Sequence, residues 1–271
     1  MAFTTTSNFS GKAAGFYISA ALKEATSLDF LTIIENVKFK SNIQRMAGSG
    51  VVADATCDFT DAGTLALTEK VLEPKNLQIN LDLCKKTLLD SWEALQMRAG
   101  AGAPPPPSFE DYVISYMGEI IADATEESIW EGTAVAGKFN GFLGAATGYL
   151  LPGVDATVVQ SSASAAYSAD NIIANLQTLT ADMAANISPI LRKEDLYIYM
   201  NSKTYAFYVS AVSTLGYVNA YNMNGDYEPV FEGYRIAVCP GMADNQVVAA
   251  RKSNLFFGTD LVSDHTRITL M

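Results

Sequence analysis

Residues 108–144 read SFEDYVISYMGEIIADATEESIWEGTAVAGKFNGFLG, and this stretch decides the fold. Ser108 has the side chain of a helix cap, and Glu110 and Asp111 follow in the first turn, where carboxylates complement the positive end of the helix dipole. Phe109, Val113, Tyr116, Met117, Ile120, Ile121 and Ala124 recur at helical spacing, with Asp123, Glu126 and Glu127 on the other face. The pattern predicts an amphipathic helix over 108–131, about 24 residues and ~36 Å long. Gly132, Gly137, Gly141 and Gly144 then let the chain turn away from it.

The same glycines raise a rival reading. Gly132 through Lys138 satisfies the first seven positions of a phosphate-cradling G-x-x-x-x-G-K-[ST] loop. The eighth position needs a hydroxyl to hold magnesium and is Phe139, and the segment follows a helix where a P-loop lies between a strand and a helix. The segment therefore reads as a turn, and a nucleotide-binding enzyme is the weaker alternative.

Toward the N-terminus, Leu31, Ile33, Ile34, Val37 and Phe39, with Lys38 and Lys40 between the later apolar positions, predict a strand within 28–40. Leu77, Ile79, Leu81 and Leu83, alternating with Gln78, Asn80, Asp82 and Cys84, predict another. Residues 41–76 between them hold Gly48, Gly50 and Gly63 and only short apolar patches at Val51–Val52 and Leu65–Leu67, too little for a core. As a hairpin of ~17 residues per arm at ~3.3 Å per residue they would reach about 50 Å. A two-stranded ribbon of that kind is marginal alone in water, so it is expected to lie across a neighbouring molecule. Residues 1–27 open with Thr4, Thr5, Thr6, Ser7 and Asn8 and read as an arm without a core of its own. Residues 99–107 pass through glycine and alanine into Pro104–Pro107, a linker stiff at its end.

Toward the C-terminus, Ser168 or Asp170 caps a helix carrying the stripe Ile172, Leu176, Leu179, Met183 and Ile187, stopped at Ser188 and Pro189. A strand over Leu196–Met200 and a helix from Ser202, with Tyr205, Ala206, Val209 and Val212 on one side, come next. Strands are expected at 234–238, 246–250, 255–257 and 267–270. Helices and mostly antiparallel strands that are segregated along the chain define an α+β fold.

The 271 residues, 49% hydrophobic and 17% charged, are enough for a real core. A net charge of −11 argues against a protein whose main task is gripping nucleic acid, since that affinity comes from Lys and Arg neutralising phosphates. Cys57, Cys84 and Cys239 are far apart and lack C-x-x-C spacing, so neither a disulfide framework nor a zinc site is indicated and a reducing site of synthesis fits. No apolar run approaches the ~20 residues that span a bilayer. Lys12 followed by Ala13 to Leu22 loosely imitates a signal peptide, but Gly15, Tyr17 and Ser19 interrupt it and no clean cleavage signal follows.

Candidate chemistry is sparse. His265 is the one histidine, in the polar run Ser263-Asp264-His265-Thr266, and reads as part of a surface turn; it rules out H-E-x-x-H sites, and no G-x-S-x-G elbow supplies a nucleophile for it. Cys239 reads as a buried small apolar side chain. Glu126 with Glu127, and Glu119 with Asp123, could pair for acid–base work, but adjacent helical residues do not face each other and a solvated or intersubunit face needs such charges anyway. Tyr197, Tyr199, Tyr205, Tyr208, Tyr217, Tyr221 and Tyr227 lack the accompanying Lys and Arg of a base-stacking surface, which favours a subunit contact. No catalytic, cofactor-binding or metal-binding residue is assigned, and no cofactor is expected.

Taken in order, these features resemble the major capsid proteins of tailed bacteriophages and prophages, with the Hong Kong 97-type fold. The resemblance rests on the helix end Trp130-Glu131-Gly132 with Asn140-Gly141-Phe142-Leu143-Gly144, on Leu196-Tyr197-Ile198-Tyr199-Met200-Asn201-Ser202-Lys203-Thr204-Tyr205, and on Phe231-Glu232-Gly233-Tyr234-Arg235-Ile236-Ala237-Val238. It implies an N-terminal arm at 1–27, a peripheral-domain strand at 28–40 and an extended loop at 41–76. It further implies a peripheral domain at 77–150 with its spine helix at 108–131, an axial domain at 151–250, and a return to the peripheral domain at 251–271. The implied role is structural and not enzymatic: pentamers and hexamers of the chain close an icosahedral virion shell around double-stranded DNA, assembled in the host cytoplasm. It leaves room for scaffolding and portal proteins and for weak non-specific contact with packaged DNA, with no membrane involved. Relatives continue into a last peripheral-domain strand past the position of Met271, so a shortened branch or a truncated product is expected. A bacterial nanocompartment shell of the encapsulin kind shares the fold and is the main alternative.

Overall fold

The computed structural model describes residues 7–9, 26–52, 54–55, 57, 63–78, 109–135, 137–152, 154–155, 158–162, 166–215, 229–260 and 268–270; for 7–9, 109–116, Ser188 and 268–270 it describes the backbone alone. Of the strand expected over 77–84, Leu77 and Gln78 are described and are not in a strand; its residues 79–84, the proline linker, the Ser108 cap, His265, Tyr217, Tyr221 and Tyr227 lie outside the described residues.

In chain order the elements are β1 (Ser7–Phe9), β2 (Thr32–Ile34), β3 (Ser41–Ser49), β4 (Thr64–Leu72), α1 (Phe109–Glu131), α2 (Ile172–Asn186), β5 (Leu196–Met200), α3 (Ser202–Thr214), β6 (Val230–Phe231), β7 (Tyr234–Val238), β8 (Val247–Arg251), β9 (Phe256–Gly258) and β10 (Ile268–Leu270). Single 3-10 turns occupy Thr26–Phe30, Ser188–Ile190 and Lys252–Asn254. Helices and strands are mixed, as an α+β chain requires.

The organising element is a four-stranded sheet in the order β6-β7-β5-β8. Strand β5 runs parallel to β7 and antiparallel to β8, so it is central. Its sequence LYIYM has no polar side that must face water, which is what a strand covered on both faces needs. Ile198 and Met200, with Ile236 and Phe231, pack against Ile172 and Leu176 of α2 and Ala211 of α3. Tyr199, with Ala237 and Cys239, packs against Ile129 and Trp130 at the end of α1 and against Leu255. The sheet is thus sandwiched between the α2–α3 pair and the last turns of α1. A two-residue turn joins β6 to β7, and both of its residues take positive φ, Glu232 at 50° and Gly233 at 87°, the hand that matches the twist of the flanking strands.

Helix α2 buries Ile172, Leu176 and Met183 of its expected stripe, and it ends ahead of Pro189. Neither Ser168 nor Asp170 caps it. The N-cap is Asn171, whose Oδ1 accepts from the Ser168 N–H, so the polar side chain organises the turn before the helix and leaves the helix N–H groups alone. In α3 the buried positions are Thr204 and Ala211, while Tyr205, Val209 and Val212 are half-buried and Ala206 is exposed. The buried stripe is therefore turned from the expected one.

The strand expected across 28–40 is confined to Thr32–Ile34, which pairs in parallel with β9. Asn36 takes a φ of 65° and bends the chain there. Leu31 and Val37 are buried, whereas Ile33 and Phe39 are 46% and 85% exposed, so the alternation did not mark one buried face. The expected hairpin within 41–76 is present: β3 and β4 pair antiparallel from Ser41↔Leu72 to Ser49↔Thr64. Its arms are nine residues each, not ~17, and the paired part is about 30 Å long at ~3.3 Å per residue.

Candidate functional site

Two features carry the functional reading, the β3–β4 ribbon and the glycine turn against which its base rests. Opposed residues of an antiparallel pair share a face, so the register sorts the ribbon into two sides. One side carries Ser41, Ile43, Arg45, Ala47 and Ser49 opposite Leu72, Lys70, Thr68, Ala66 and Thr64. Its proximal end meets the body: the Lys70 ammonium pairs with Asp155, and Leu72 sits so close over Gly258 that a Cβ there would overlap it. The other side carries Asn42, Gln44, Met46 and Gly48 opposite Val71, Glu69, Leu67 and Leu65. Toward the tip this side is apolar and open, with Met46, Leu65 and Leu67 exposed at 66%, 67% and 58% and Val52 beyond them at 95%. Large apolar side chains gathered on one face of a two-stranded ribbon, with none of the described residues over them, mark a contact surface.

The turn behind α1 is built by close packing of backbone. A Cβ on Gly132 would overlap the Phe139 carbonyl, and one on Gly144 would overlap the carbonyl of Gly132. Thr133 and Asn140 form an antiparallel bridge, and the Gly141, Phe142 and Leu143 N–H groups donate to the carbonyls of Gly132, Ile129 and Trp130, closing the end of the helix. This geometry settles the resemblance to a P-loop. A phosphate loop turns N–H groups inward, whereas here the carbonyls of Ala134, Val135 and Lys138 converge on the Lys75 ammonium at 3.0, 2.5 and 2.7 Å. Lys138 itself is bound to Glu127 at 2.5 Å. The turn is a cation cradle, not an anion cradle.

The carboxylates of α1 divide in a way the sequence did not show. Glu119, Asp123 and Glu127 are exposed, but Glu126 is buried at 7% exposure. Its carboxylate accepts from the Ser27 N–H at 3.1 Å, from the Ser27 hydroxyl and from the Gly241 N–H at 3.3 Å. The Ser27 Oγ in turn accepts from Trp130 Nε1 at 2.7 Å. One acidic side chain thereby joins the Thr26–Phe30 turn, α1 and the loop after β7. Gly241 comes so close to α1 that a Cβ there would overlap the Glu126 backbone.

The remaining candidates are structural. Cys239 is fully buried, and burial pushes its thiol up to about 12, which leaves no thiolate at neutral pH. Tyr199 is also fully buried, and its hydroxyl, whose pKa burial raises, donates to the Phe30 carbonyl at 2.9 Å. Tyr208 donates to the Val230 carbonyl and packs its ring edge-on against Phe231. These tyrosines hold core elements together, so the subunit contact expected of the tyrosine-rich region does not include Tyr199. Lys40 pairs with Glu73 of the same chain at 3.1 Å. Among the described residues no group of three or more His, Cys, Asp and Glu side chains is placed to hold a metal ion, and no helix is long and apolar enough to cross a membrane.

No protein-family model matches the chain, and no curated protein sequence matches it. Among solved structures the chain is similar to the capsid of a native GTA particle, computed with C5 symmetry, over 82% of this chain and 69% of that one, with 17% identity and a TM-score of 0.42.

Proposed function

We propose that this chain is a structural shell protein of the tailed-phage major capsid class, with the Hong Kong 97-type fold, that assembles with copies of itself. The observation that carries the proposal is the β3–β4 ribbon, which projects an apolar face of Met46, Leu65 and Leu67 that no described residue covers. A second copy is the natural cover, because a homo-oligomer presents every ribbon with an identical acceptor surface. The long helix ending in a glycine turn, and the sheet that α2 and α3 cover on one face, support the division into a peripheral part at 77–150 and an axial part at 151–250, with the end of α1 packed on the sheet's other face. On this reading pentamers and hexamers close an icosahedral virion shell around double-stranded DNA, built in the host cytoplasm and joined by scaffolding and portal proteins. The net charge of −11 suits a container wall that holds DNA only weakly, since tight binding would oppose packing and release.

Light scattering and negative-stain microscopy on the purified chain test this directly. Rings or closed shells are expected. A monomer at every accessible concentration, with the ribbon tip protected from proteolysis, would refute it. Particles that copurify with a protein cargo would instead identify a nanocompartment shell.

A further inference from the structure

The ribbon leaves the body at one end, and its orientation must be set there. Among the described residues three contacts hold that end: Lys70 on Asp155, Leu72 over Gly258, and Lys75 on the carbonyls of Ala134, Val135 and Lys138. The third differs in kind. Lys75 is exposed, yet its ammonium donates to three converging carbonyls of a turn whose shape is fixed by other bonds. Ala134 at φ 58° and Gly137 at φ 79° aim those carbonyls, and the Lys138 N–H closes the turn on Val135 O at 3.1 Å. Glu127, bound to Lys138, offsets the second positive charge near the cradle.

We propose that Lys75 is a releasable pin that sets the ribbon's angle to α1, and that the ribbon swings when the ammonium leaves the carbonyl cradle. Four properties fit a pin better than a permanent weld. The contact is solvent-facing, so water can replace the lysine at each carbonyl without leaving a buried group unpaired. It is an ion–dipole contact near the surface, so dissolved cations compete with it. The cradle is prebuilt by the glycine turn, so it survives the loss of its occupant. Lys75 also lies only three residues beyond Leu72, the last paired residue of β4, so its release acts directly at the ribbon's root.

The test is the ribbon angle in the free chain. Nitroxide labels go on the ribbon tip by Ser49→Cys and on the exposed face of α1 by Ala124→Cys, in a Cys57→Ser, Cys84→Ser background, and their separation is read by pulsed electron resonance. The pinned chain should give one narrow distance distribution. Lys75→Met should broaden or shift it, with circular dichroism and the unfolding midpoint unchanged, and Lys75→Arg should restore most of the narrow component. A Lys75→Met distribution that matches the parent overturns the proposal. If Lys75→Met unfolds the chain, the same measurement on Lys75→Gln replaces it: broadening supports the pin, and an unchanged distribution overturns it. The consequence that release changes the rate of assembly rests on the shell reading. The distance measurement does not, so a chain that never assembles can still show the pin.

Discussion

Glu126 shows how one side chain can hold three segments together. Its carboxylate takes two donors from Ser27 and one from Gly241, residues 99 and 115 positions away, and the Ser27 hydroxyl is positioned by Trp130. Truncating it leaves buried N–H and O–H groups without an acceptor, so Glu126→Ala should lower stability by about 3 kcal/mol. Urea unfolding followed by circular dichroism reads this, and a loss under about 1 kcal/mol would show that the donors find other partners. Asp195 is a different case. It accepts from Arg251 Nε at 2.9 and 3.1 Å and from Ser253, and the Arg251 hydrogen bond leads in holding its carboxyl down at about 2, below the ordinary 3.8. A depressed folded-state value contributes stability above the unfolded value and loses it as pH falls through the folded one. The advantage of the parent over Asp195→Asn should be constant above pH 4 and fade between pH 4 and pH 2. An advantage that persists at pH 2 would assign it to packing.

At the scale of elements, α1 and its turn offer paired glycine tests. Gly118 lies within α1 with nothing within 4 Å of a built Cβ, so Gly118→Ala should stabilise the chain by about 0.5–1 kcal/mol through helix propensity alone. Gly144→Ala places a methyl on the Gly132 carbonyl and should cost about 3 kcal/mol or prevent folding. Thermal unfolding of both variants checks the pair, and equal effects would contradict the packing of the turn. The ribbon gives a third test. Leu67→Glu changes an exposed side chain, so monomer stability should move by under about 0.5 kcal/mol while shells fail to form. Normal shells from Leu67→Glu would remove this face from the contact. Helix α1 and the β3–β4 ribbon were legible in the sequence because both follow from local rules, helical spacing and the glycine-bounded patches. The burial of Glu126 was not, because its donors arrive from Ser27 and Gly241, far along the chain. Nor was the shortness of β2, since the left-handed Asn36 ends the strand where apolar residues continue. The cradle at 134–138 was half legible: the glycines announced a turn, but whether N–H or carbonyl groups point inward depends on dihedral angles that no residue pattern states.

For the whole molecule, charge and assembly pull in opposite directions. Every copy carries −11, so bringing many copies into a shell concentrates like charge, and the apolar ribbon face must outweigh that repulsion. Solvent-exposed charges interact over a Debye length of about 30 Å at 0.01 M salt and about 10 Å at 0.1 M. Copies in contact therefore repel across most of their surface in dilute buffer and only near the interface at moderate salt. The threshold concentration for shell formation should fall several-fold between 0.01 and 0.1 M sodium chloride, then level off once screening is complete. An interface held mainly by intersubunit ion pairs would do the reverse, with salt raising the threshold. Sedimentation velocity across a salt series separates the two, and a rising threshold would move the main assembly contact from the apolar face of β3–β4 to the charged surface of the body.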